Sequence, residues 1–389
     1  MLKTDAPVWI FKMKEYDKER LVFALSEAIA GLGADGLFRG KAVVVKPNLV
    51  REMDPETGGT THPVMLEALG ETLKKLGAGK MILAESPAGF YSEAHLMKVY
   101  DACGMTEACR RAGIELNFDL GYGVMKAPEG KKSKTFEVID PIRNADVVVN
   151  LSKMKSHGML TQSCAAKNLF GVIPGVKKFE MHARFPDAKE FAGMLCDLNE
   201  MLDAGKTVLH ICDGIVGMEG NGPTNGTPVK IGAVLLSFNP FCVDRAAACM
   251  MGMEDRPELL GEGIARGYCP EKTGELNCPA LRPEDCTVSS FRLPDSAHSS
   301  TLNKFLTLGG GKYAKFFEPR PVINKKTCRG CGVCARSCPQ KTIGMTTLKK
   351  GKKVAHVDKK NCIKCYCCQE VCPFDSVKIK RSLLLRMVK

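Results

Sequence analysis

Short apolar runs recur along the first 250 positions of the chain, and longer segments with helical spacing separate them. The run at residues 42–45 is apolar at every position, which is typical of a strand buried on both faces of a parallel sheet. Between Asp17 and Leu32, apolar residues such as Leu21 and Leu25 recur at the spacing of an amphipathic helix. This alternation of strands and helices predicts an α/β fold with a largely parallel sheet.

The same pattern predicts the remaining elements. Further strands are expected at residues 8–11, 81–84, 114–118, 136–139, 146–150, 207–212 and 231–236, and helices at 62–76, 92–112, 188–202 and 243–251. A loop is expected at 121–134, and residues 255–290, rich in Pro, Gly and charge, are expected to be irregular. We assign residues 1–290 to one α/β substrate-binding or catalytic domain. Residues 291–320, which contain three consecutive glycines at 309–311, are assigned to a connector.

Polar side chains follow the predicted strands at the points where they end. Because ligands bind beyond the carboxyl ends of the strands in open parallel sheets, these side chains predict one shared site. The alternative is that strand ends are polar simply because the chain reaches water there. The residues concerned are Lys46, Asn48, Glu85, Ser86, Lys153, Lys155, His157 and Asp213.

Two later loops add candidates to this site. Residues 161–178 are basic and punctuated by Gly and Pro, as expected of a loop that approaches an anion. Residues 214–226 contain five glycines, with Glu219 as the ionisable group. His157 and His182 are candidate proton donors or metal ligands, or else hydrogen-bonded structural residues. We predict substrate binding by Lys46, Asn48, Lys153, Lys167 and Asn168, and acid–base roles for His157, Asp213 and Glu219.

Four of these segments together resemble the family called domain of unknown function 362. They are Lys46-Pro-Asn48, Ser152-Lys-Met-Lys-Ser-His157, Lys167-Asn-Leu-Phe-Gly171 and the segment from Asp213 to Pro223. The resemblance covers about residues 40–255. It implies an α/β fold and an association with iron–sulfur clusters, since members are often fused to a C-terminal two-cluster ferredoxin. It implies little about the substrate.

A repeated cysteine motif lies near the C-terminus. Each copy reads C-x-x-C-x-x-C-x-x-x-C-P, the spacing of bacterial two-cluster ferredoxins, in which the fourth cysteine of each run serves the other cluster. This predicts two [4Fe–4S] clusters in a ferredoxin-like α+β domain at residues 321–380, with a basic tail at 381–389. One cluster is assigned to Cys328, Cys331, Cys334 and Cys372, and the other to Cys362, Cys365, Cys368 and Cys338.

Other cysteine chemistries fit this motif less well. C-x-x-C pairs also bind zinc, but two complete eight-ligand patterns that each end in Cys-Pro favour iron–sulfur clusters. A disulfide framework would require a secreted protein, and the N-terminus has no apolar signal region. Cys367 lies off the ligand spacing and is expected to be a non-ligand near the cluster.

Charge is distributed unevenly along the chain. The whole sequence has a formal net charge of +13, and residues 321–389 alone contain 17 Lys and Arg against 3 Asp and Glu. A basic surface around the clusters predicts an acidic electron carrier, such as a ferredoxin or flavodoxin, as partner. Plain solubility and nucleic-acid binding are the alternatives, and the lack of interleaved aromatic residues disfavours nucleic acid. No segment is long and apolar enough to predict a membrane span.

These observations predict a cytoplasmic iron–sulfur oxidoreductase of anaerobic metabolism. Electrons of low potential would pass from the carrier through the clusters to a small, anionic or carbonyl-containing substrate in the α/β domain, directly or through a flavin or a further metal. Two other hypotheses stay open. One is a non-catalytic electron carrier or cluster-assembly protein with an α/β docking module, and the other is a non-redox enzyme with structural clusters. The sequence leaves the oligomeric state open.

Overall fold

Strands and helices alternate through most of the chain. The computed structural model describes residues 2–254, 257–297, 319–349 and 351–380. The strands are β1 (Trp9–Lys12), β2 (Val43–Lys46), β3 (Met81–Leu83), β4 (Glu115–Leu116), β5 (Tyr122–Lys126), β6 (Thr135–Ile139), β7 (Val147–His157), β8 (Thr161–Ser163), β9 (Thr207–Glu219), β10 (Thr227–Ser237), β11 (Arg320–Ile323), β12 (Ile343–Thr347), β13 (Lys353–Val357) and β14 (Val377–Lys380).

The helices connect these strands and cover the sheet. They are α1 (Lys18–Gly31), α2 (Pro63–Lys75), α3 (Glu93–Ala102), α4 (Met105–Ala112), α5 (Asp140–Asn144), α6 (Ala165–Asn168), α7 (Lys177–Arg184), α8 (Ala188–Gly205), α9 (Pro240–Met250), α10 (Glu258–Ala265), α11 (Val333–Arg336) and α12 (Cys367–Glu370). Helix α1 begins where the Asp17 side chain accepts a hydrogen bond from the Arg20 amide, a common N-cap arrangement.

One mixed sheet of eight strands forms the centre of the α/β domain. Its order is β1-β10-β9-β7-β2-β3-β4, and β8 pairs with β7. The pairs from β9 through β7, β2 and β3 to β4 are parallel, while β1, β10 and β8 pair antiparallel. The predicted α/β fold with a largely parallel sheet is confirmed.

Each face of the sheet supports its own hydrophobic core, because successive side chains of a strand point to opposite faces. Val43 and Val45 belong to the core that includes residues of α1 and α2, whereas Val44 belongs to the core that includes residues of α8 and α9. Both cores are therefore built from the continuous apolar runs that predicted parallel strands.

Several predicted boundaries differ from the structure. The helix expected at 92–112 is two helices, α3 and α4, because Gly104 adopts a left-handed conformation with φ of 71° between them. Strand β5 lies within the predicted loop at 121–134 and pairs with β6 in a separate two-stranded sheet. Helix α10 lies in the region 255–290 that was expected to be irregular.

Strands β7 and β9 continue well past their predicted ends, to His157 and Glu219. Their polar residues are paired across the sheet, so polarity did not mark the end of these strands. The segment 302–311 of the predicted connector lies outside the described residues.

The C-terminal region contains two small antiparallel sheets, β11 with β14 and β12 with β13, together with the short helices α11 and α12. It packs against the α/β domain. Tyr366 and Ile379 lie in the same hydrophobic core as Leu160 and Phe170. Arg51 pairs with Asp375 at 3.0 Å, which adds a polar contact between the two regions.

Within the described ranges, no helix is long and apolar enough to cross a membrane.

Candidate functional site

A small cavity lies beyond the carboxyl ends of β2 and β3, where α/β sheets commonly bind ligands. Its volume is about 70 Å³. It lies between the two regions of the chain, since α/β residues such as Lys46 and Lys178 form one side and Cys367 and Glu370 of α12 contribute the other. We refer to it below as the cationic cavity.

Lys46 and Glu85 form a buried ion pair in its wall, with Nζ 2.7 Å from Oε2. The Lys46 ammonium also donates to the backbone carbonyl of Pro47 and to Asn168 Oδ1. Burial lowers the pKa of Lys46 and raises that of Glu85, and each partner opposes the shift of the other. The pair is therefore held in place by several bonds, which fixes the wall against which a ligand would lie.

Asn48 connects this pair to a second buried lysine. Its amide donates to Asn168 Oδ1 at 2.7 Å, and its Oδ1 accepts a hydrogen bond of 2.7 Å from Lys155 Nζ. Burial, followed by repulsion from Lys167, lowers the pKa of Lys155 to about 7. The predicted substrate-binding residues Lys46, Asn48 and Asn168 thus occupy one hydrogen-bonded network, and all three line the cavity.

Gly171 is required by this arrangement. A Cβ atom added at this position would lie 2.3 Å from Glu85 Oε1 and 2.4 Å from Lys46 Nζ. Such contacts are far inside van der Waals distance, so any side chain would displace the ion pair. The Gly that ends the segment Lys167–Gly171 is explained by this close approach.

Further positive groups face the cavity. Lys178 donates to the Ser86 carbonyl and hydroxyl, and burial lowers its pKa to about 7. Among the described residues, Lys167 Nζ has no hydrogen-bond or ion-pair partner and lies 5.6 Å from the centre of the Phe170 ring. His182 is 4% exposed, and its Nδ1 has no hydrogen-bond partner in the described part of the chain.

Burial also determines the charge of the histidines. It is the largest cause that lowers the pKa of His182 to about 3 and that of His157 to about 4. Both rings are neutral near pH 7. His182 lines the cavity and His157 lies outside its lining, so the cavity combines lysine ammonium groups with one neutral imidazole, a donor set suited to a small anion.

Helix α12 carries a second carboxylate of the cavity, in addition to Glu85. Glu370 Oε1 lies 3.2 Å from His157 Nε2, within ion-pair distance but without the alignment of a hydrogen bond. Burial disfavours ionisation of Glu370, yet its contact with His157 and the charge of Lys167 hold its pKa at about 2. His157 Nδ1 accepts hydrogen bonds from the amides of Met159 and Leu160, so a neutral ring carries its proton on Nε2, facing Glu370.

Two predicted site residues lie elsewhere. Lys153 Nζ is 2.8 Å from Asp213 Oδ2, both side chains are fully buried, and Tyr16 OH completes the cluster by accepting from Lys153 and donating to Asp213. Lys153 and Asp213 are register partners on β7 and β9, so they project to the same face. The expectation of one shared site is corrected here, because they pair with each other and lie outside the lining of the cationic cavity.

Glu219 is also separate from the cavity. Its carboxylate accepts from the Arg292 amide at 2.8 Å and pairs with the Arg292 side chain at 2.6 Å. It sits at the end of β9, and the segment after Gly214 that was expected to be a loop is strand up to this residue. Glu219 therefore pairs with Arg292 outside the cavity lining, and its acid–base role stays a prediction.

The two cysteine runs adopt the same local backbone. Gly330 and Gly332 of the first run have positive φ, and so do the equivalent residues Lys364 and Tyr366 of the second. Each terminal cysteine also accepts a hydrogen bond at 3.3 Å from the amide four residues later, Thr342 to Cys338 and Ser376 to Cys372. Amide donors aimed at sulfur suit thiolates that bind a cluster.

The positions of the cysteines are compatible with the crossed pattern. Cys328, Cys331, Cys334 and Cys372 line one small cavity. In the other set, Cys362 has Cys365 and Cys338 as charge neighbours. Cys368 has Cys362, Cys365 and Cys338 nearby, and also Cys334 of the first set. No three His, Cys, Asp or Glu side chains in the described ranges are arranged to hold a single metal ion. The donor sets fit two [4Fe–4S] clusters, and the assignment of individual ligands stays a prediction.

Sequence reasoning missed part of the site. Glu370 and Cys367 reach the cavity because α12 packs onto the α/β domain, and no local pattern signals that contact. Tyr16, in the segment before α1, was not considered, although a tyrosine between a strand and a helix is a candidate for a site at a sheet edge. Lys178 belongs to the basic segment 161–178 that the sequence singled out, and His182 follows it closely.

An α/β domain joined to a repeated cysteine motif of ferredoxin type defines an iron–sulfur protein with a 4Fe-4S dicluster domain. That domain matches residues 327–376. Residues 43–249, more than half of the chain, match the family described as Domain of unknown function (DUF362), and the chain belongs to this family. Both predicted resemblances are confirmed.

One curated relative is the "Thylakoid-associated protein sll1697" of Synechocystis sp.. It is 28% identical over 291 residues, which cover 74% of this chain and 88% of that protein.

Proposed function

We propose that this protein is an iron–sulfur oxidoreductase that reduces a small anion in the cationic cavity. The observation that carries the proposal is that α12, part of the second cysteine run, forms a wall of that cavity. A dicluster domain has an electron-transfer role, and here its own helix contacts the place where a ligand would bind. The electrons would come from an acidic carrier in an anaerobic cytoplasm.

The clusters and the side chains of the cavity would have different roles in this reaction. When bound, the clusters supply single electrons at low potential. Lys167, which lacks a partner among the described residues, would bind the anion, and Lys178 and the Lys46–Glu85 pair would orient it. Lys178, whose pKa burial lowers to about 7, would also donate a proton as negative charge develops on the substrate, and the neutral His182 ring would hydrogen-bond to it. Lys153 and Asp213, which satisfy each other, have no part in this scheme.

A non-catalytic electron carrier with an α/β docking module is the second candidate. The observation that favours it is the closed pairing of strand-end residues, since the Lys153–Asp213 and Lys46–Glu85 pairs are both satisfied without a ligand. In that case, the cationic cavity would bind an anion without reducing it.

Anion binding and cluster oxidation together test the proposal. Holoprotein prepared without oxygen would be titrated at low salt with formate, nitrite, bicarbonate and phosphate, with binding measured by calorimetry. The clusters would then be reduced and the same anions added while the cluster absorbance is followed. We expect at least one anion to bind and to reoxidise the clusters. An anion that binds but leaves them reduced would favour the carrier.

The Lys167→Met variant links binding to the cavity. It should abolish anion binding without lowering the thermal midpoint, because an ammonium group without a partner gives little stability to the fold. Lys126→Met, the same change at an exposed strand position, is the matched control and should bind as the wild type does. Equal anion affinity in Lys167→Met and wild type would place the ligand elsewhere and remove the cavity from the proposal.

A further inference from the structure

A second and larger cavity runs along the junction of the two regions, with a volume of about 840 Å³. We call it the junction groove. The α/β domain contributes residues of the segments before α3 and α7, including Phe90 and Val176. The C-terminal region contributes Val333, Pro339 and Pro373. A groove of this size with apolar walls matches the sites that bind cofactors and other drug-sized molecules.

The groove adjoins residues of both cysteine runs. Val333 precedes Cys334, Pro339 follows Cys338, and Pro373 follows Cys372. In the crossed assignment, Cys338 belongs to one cluster and Cys372 to the other. A molecule in the groove therefore lies next to ligand-bearing segments of both clusters.

The groove also borders the cationic cavity. Ala88 and Phe179 line both, so the two spaces share a wall. A molecule in the groove is thus placed between the predicted source of electrons and the predicted site of reduction. This position distinguishes the groove from an apolar surface with no relation to the clusters.

Positive groups surround the apolar walls. Lys98 and Arg336 are exposed at the groove, and Arg51 lines it as well. Arg51 pairs with Asp375 through Nη2, but its buried Nε has no hydrogen-bond partner in the part of the chain that the structure describes. Glu52 and Glu180 also line the groove, and both have basic partners, His95 at 3.7 Å and Lys177 at 3.4 Å. A ligand with an apolar ring system and an anionic group fits this distribution.

We infer that the junction groove binds a planar, conjugated redox cofactor with an anionic group, of the class of flavin mononucleotide. The exposed Phe90 ring, 66% accessible, offers an aromatic surface for stacking, and Lys98 and Arg336 offer partners for a phosphate. An oxidised flavin takes up two electrons and two protons. The clusters would deliver the electrons one at a time from the acidic carrier, and solvent would supply the protons.

Binding of the cofactor does not depend on the proposed function. The path of electrons from the clusters to the cofactor does rest on the proposed function. Flavin mononucleotide would be titrated into holoprotein prepared without oxygen, and binding followed by quenching of flavin fluorescence. We expect saturable binding. Phe90→Ala and Lys98→Glu should each weaken it by about tenfold, the effect of losing one stacking or charge-assisted contact. Both side chains are exposed, so neither change removes core packing.

Matched controls locate the ligand. Phe23→Ala removes an equally exposed ring, 69% accessible, from α1, and Lys126→Glu reverses an exposed charge on β5. Both should bind flavin as the wild type does. Riboflavin, which lacks the phosphate, should bind more weakly than flavin mononucleotide, and Lys98→Glu should not weaken riboflavin binding further.

Three outcomes would overturn the inference: no saturable flavin binding, equal loss in the groove variants and their controls, or equal affinity for riboflavin and flavin mononucleotide. Lys167→Met separates this test from that of the cationic cavity, because it should abolish anion binding and leave flavin binding intact. Loss of one activity without the other therefore identifies which proposal has failed.

Discussion

At the scale of single residues, burial excludes water from Lys178, in the wall of the cationic cavity, and from Lys155, which donates to the cavity residue Asn48. Lys155 and Lys178 each have backbone or side-chain oxygens as acceptors, yet neither has a carboxylate as hydrogen-bond partner among the described residues. Burial lowers the pKa of both to about 7. Near neutral pH, these two side chains are therefore partly deprotonated, and the positive charge of the cavity depends on pH.

This predicts that stability rises with pH above neutrality. The folded protein releases the Lys178 proton near pH 7, whereas the unfolded chain retains it up to about pH 10.5. Between these values the unfolded state binds more protons, so the free energy of unfolding increases with pH, by at most about 1.4 kcal/mol per unit for each such lysine. The thermal midpoint of the holoprotein, measured without oxygen from pH 7 to 8.5, should rise accordingly.

The Lys178→Met variant isolates one contribution to that slope. It should show a shallower rise of the midpoint over the same range, because one of the two titrating lysines is gone. Lys126→Met changes an exposed lysine and should keep the slope of the wild type. A slope equal in Lys178→Met and wild type, or a midpoint that falls with pH, would show that Lys178 is charged in the folded protein.

At the scale of elements, the sequence predicted the strands better than it predicted where their side chains point. Apolar runs located β2, β3, β7 and β9, because a buried parallel strand must be apolar on both faces. The polar residues that follow were expected to meet at one site. Lys153 and Asp213 instead face each other across β7 and β9, while Lys46 joins Asn168 in the cationic cavity. Which face a residue occupies depends on how far the strand continues, and β7 and β9 extended beyond their predicted ends.

The two cysteine runs show the opposite case, since their spacing alone predicted the 4Fe-4S dicluster domain that is confirmed. A three-cysteine loop can hold only three corners of a cluster, and the repeat supplies the fourth ligand from the other run. The left-handed backbone at Lys364 and Tyr366, equivalent to Gly330 and Gly332, shows that both runs keep the same loop even where glycine is absent. Because a cluster requires ligands at a fixed spacing, the motif could be recognised from the sequence without the structure.

The crossed assignment predicts the effect of removing one ligand. Cys338→Ser should damage the cluster held by Cys362, Cys365 and Cys368, because Cys338 is among their neighbours. Cys367→Ala should leave both clusters in place, since Cys367 faces the cationic cavity. Wild type and Cys367→Ala should contain close to eight irons and eight acid-labile sulfides, by the two-cluster pattern.

Electron paramagnetic resonance of the reduced variants, with iron and sulfide analysis, measures this prediction. Cys334→Ser is the matched comparison, because it changes a ligand assigned to the other cluster. If Cys338→Ser and Cys334→Ser lose the same signal, the crossed assignment is incorrect. Loss of a cluster in Cys367→Ala would make Cys367 a ligand.

At the scale of the whole molecule, the site exists only because two regions of the chain meet. Tyr366 packs with the core of the α/β domain, and Gln369 donates to the Asn221 carbonyl at 3.0 Å. These contacts bring Glu370 to His157 from more than 200 residues away along the sequence. Local periodicity carries no information about such docking, which is why the sequence predicted both regions but neither the cationic cavity nor the junction groove between them.

The docked C-terminal region also concentrates the positive charge of the molecule. Residues 321–389 contain 17 Lys and Arg against 3 Asp and Glu, which predicts that an acidic ferredoxin or flavodoxin associates by charge attraction. The rate at which such a carrier reduces the clusters should fall steeply as salt rises from about 10 to 300 mM, because the Debye length shrinks from about 30 Å to well below 10 Å.

A triple variant tests whether this basic surface is responsible. It changes three exposed residues to Glu, namely Lys325, Lys326 and Lys360, and should slow reduction at low salt and flatten the salt dependence of the rate. The same changes at Lys41, Lys126 and Lys189, exposed on the α/β domain, provide a control with equal net charge and should have a smaller effect. Stopped-flow absorbance at the cluster bands measures both rates, with an uncharged photoreductant to show that the clusters stay reducible. A rate indifferent to salt, or an equal effect of the two triple variants, would rule out a docking site for the carrier on this basic surface.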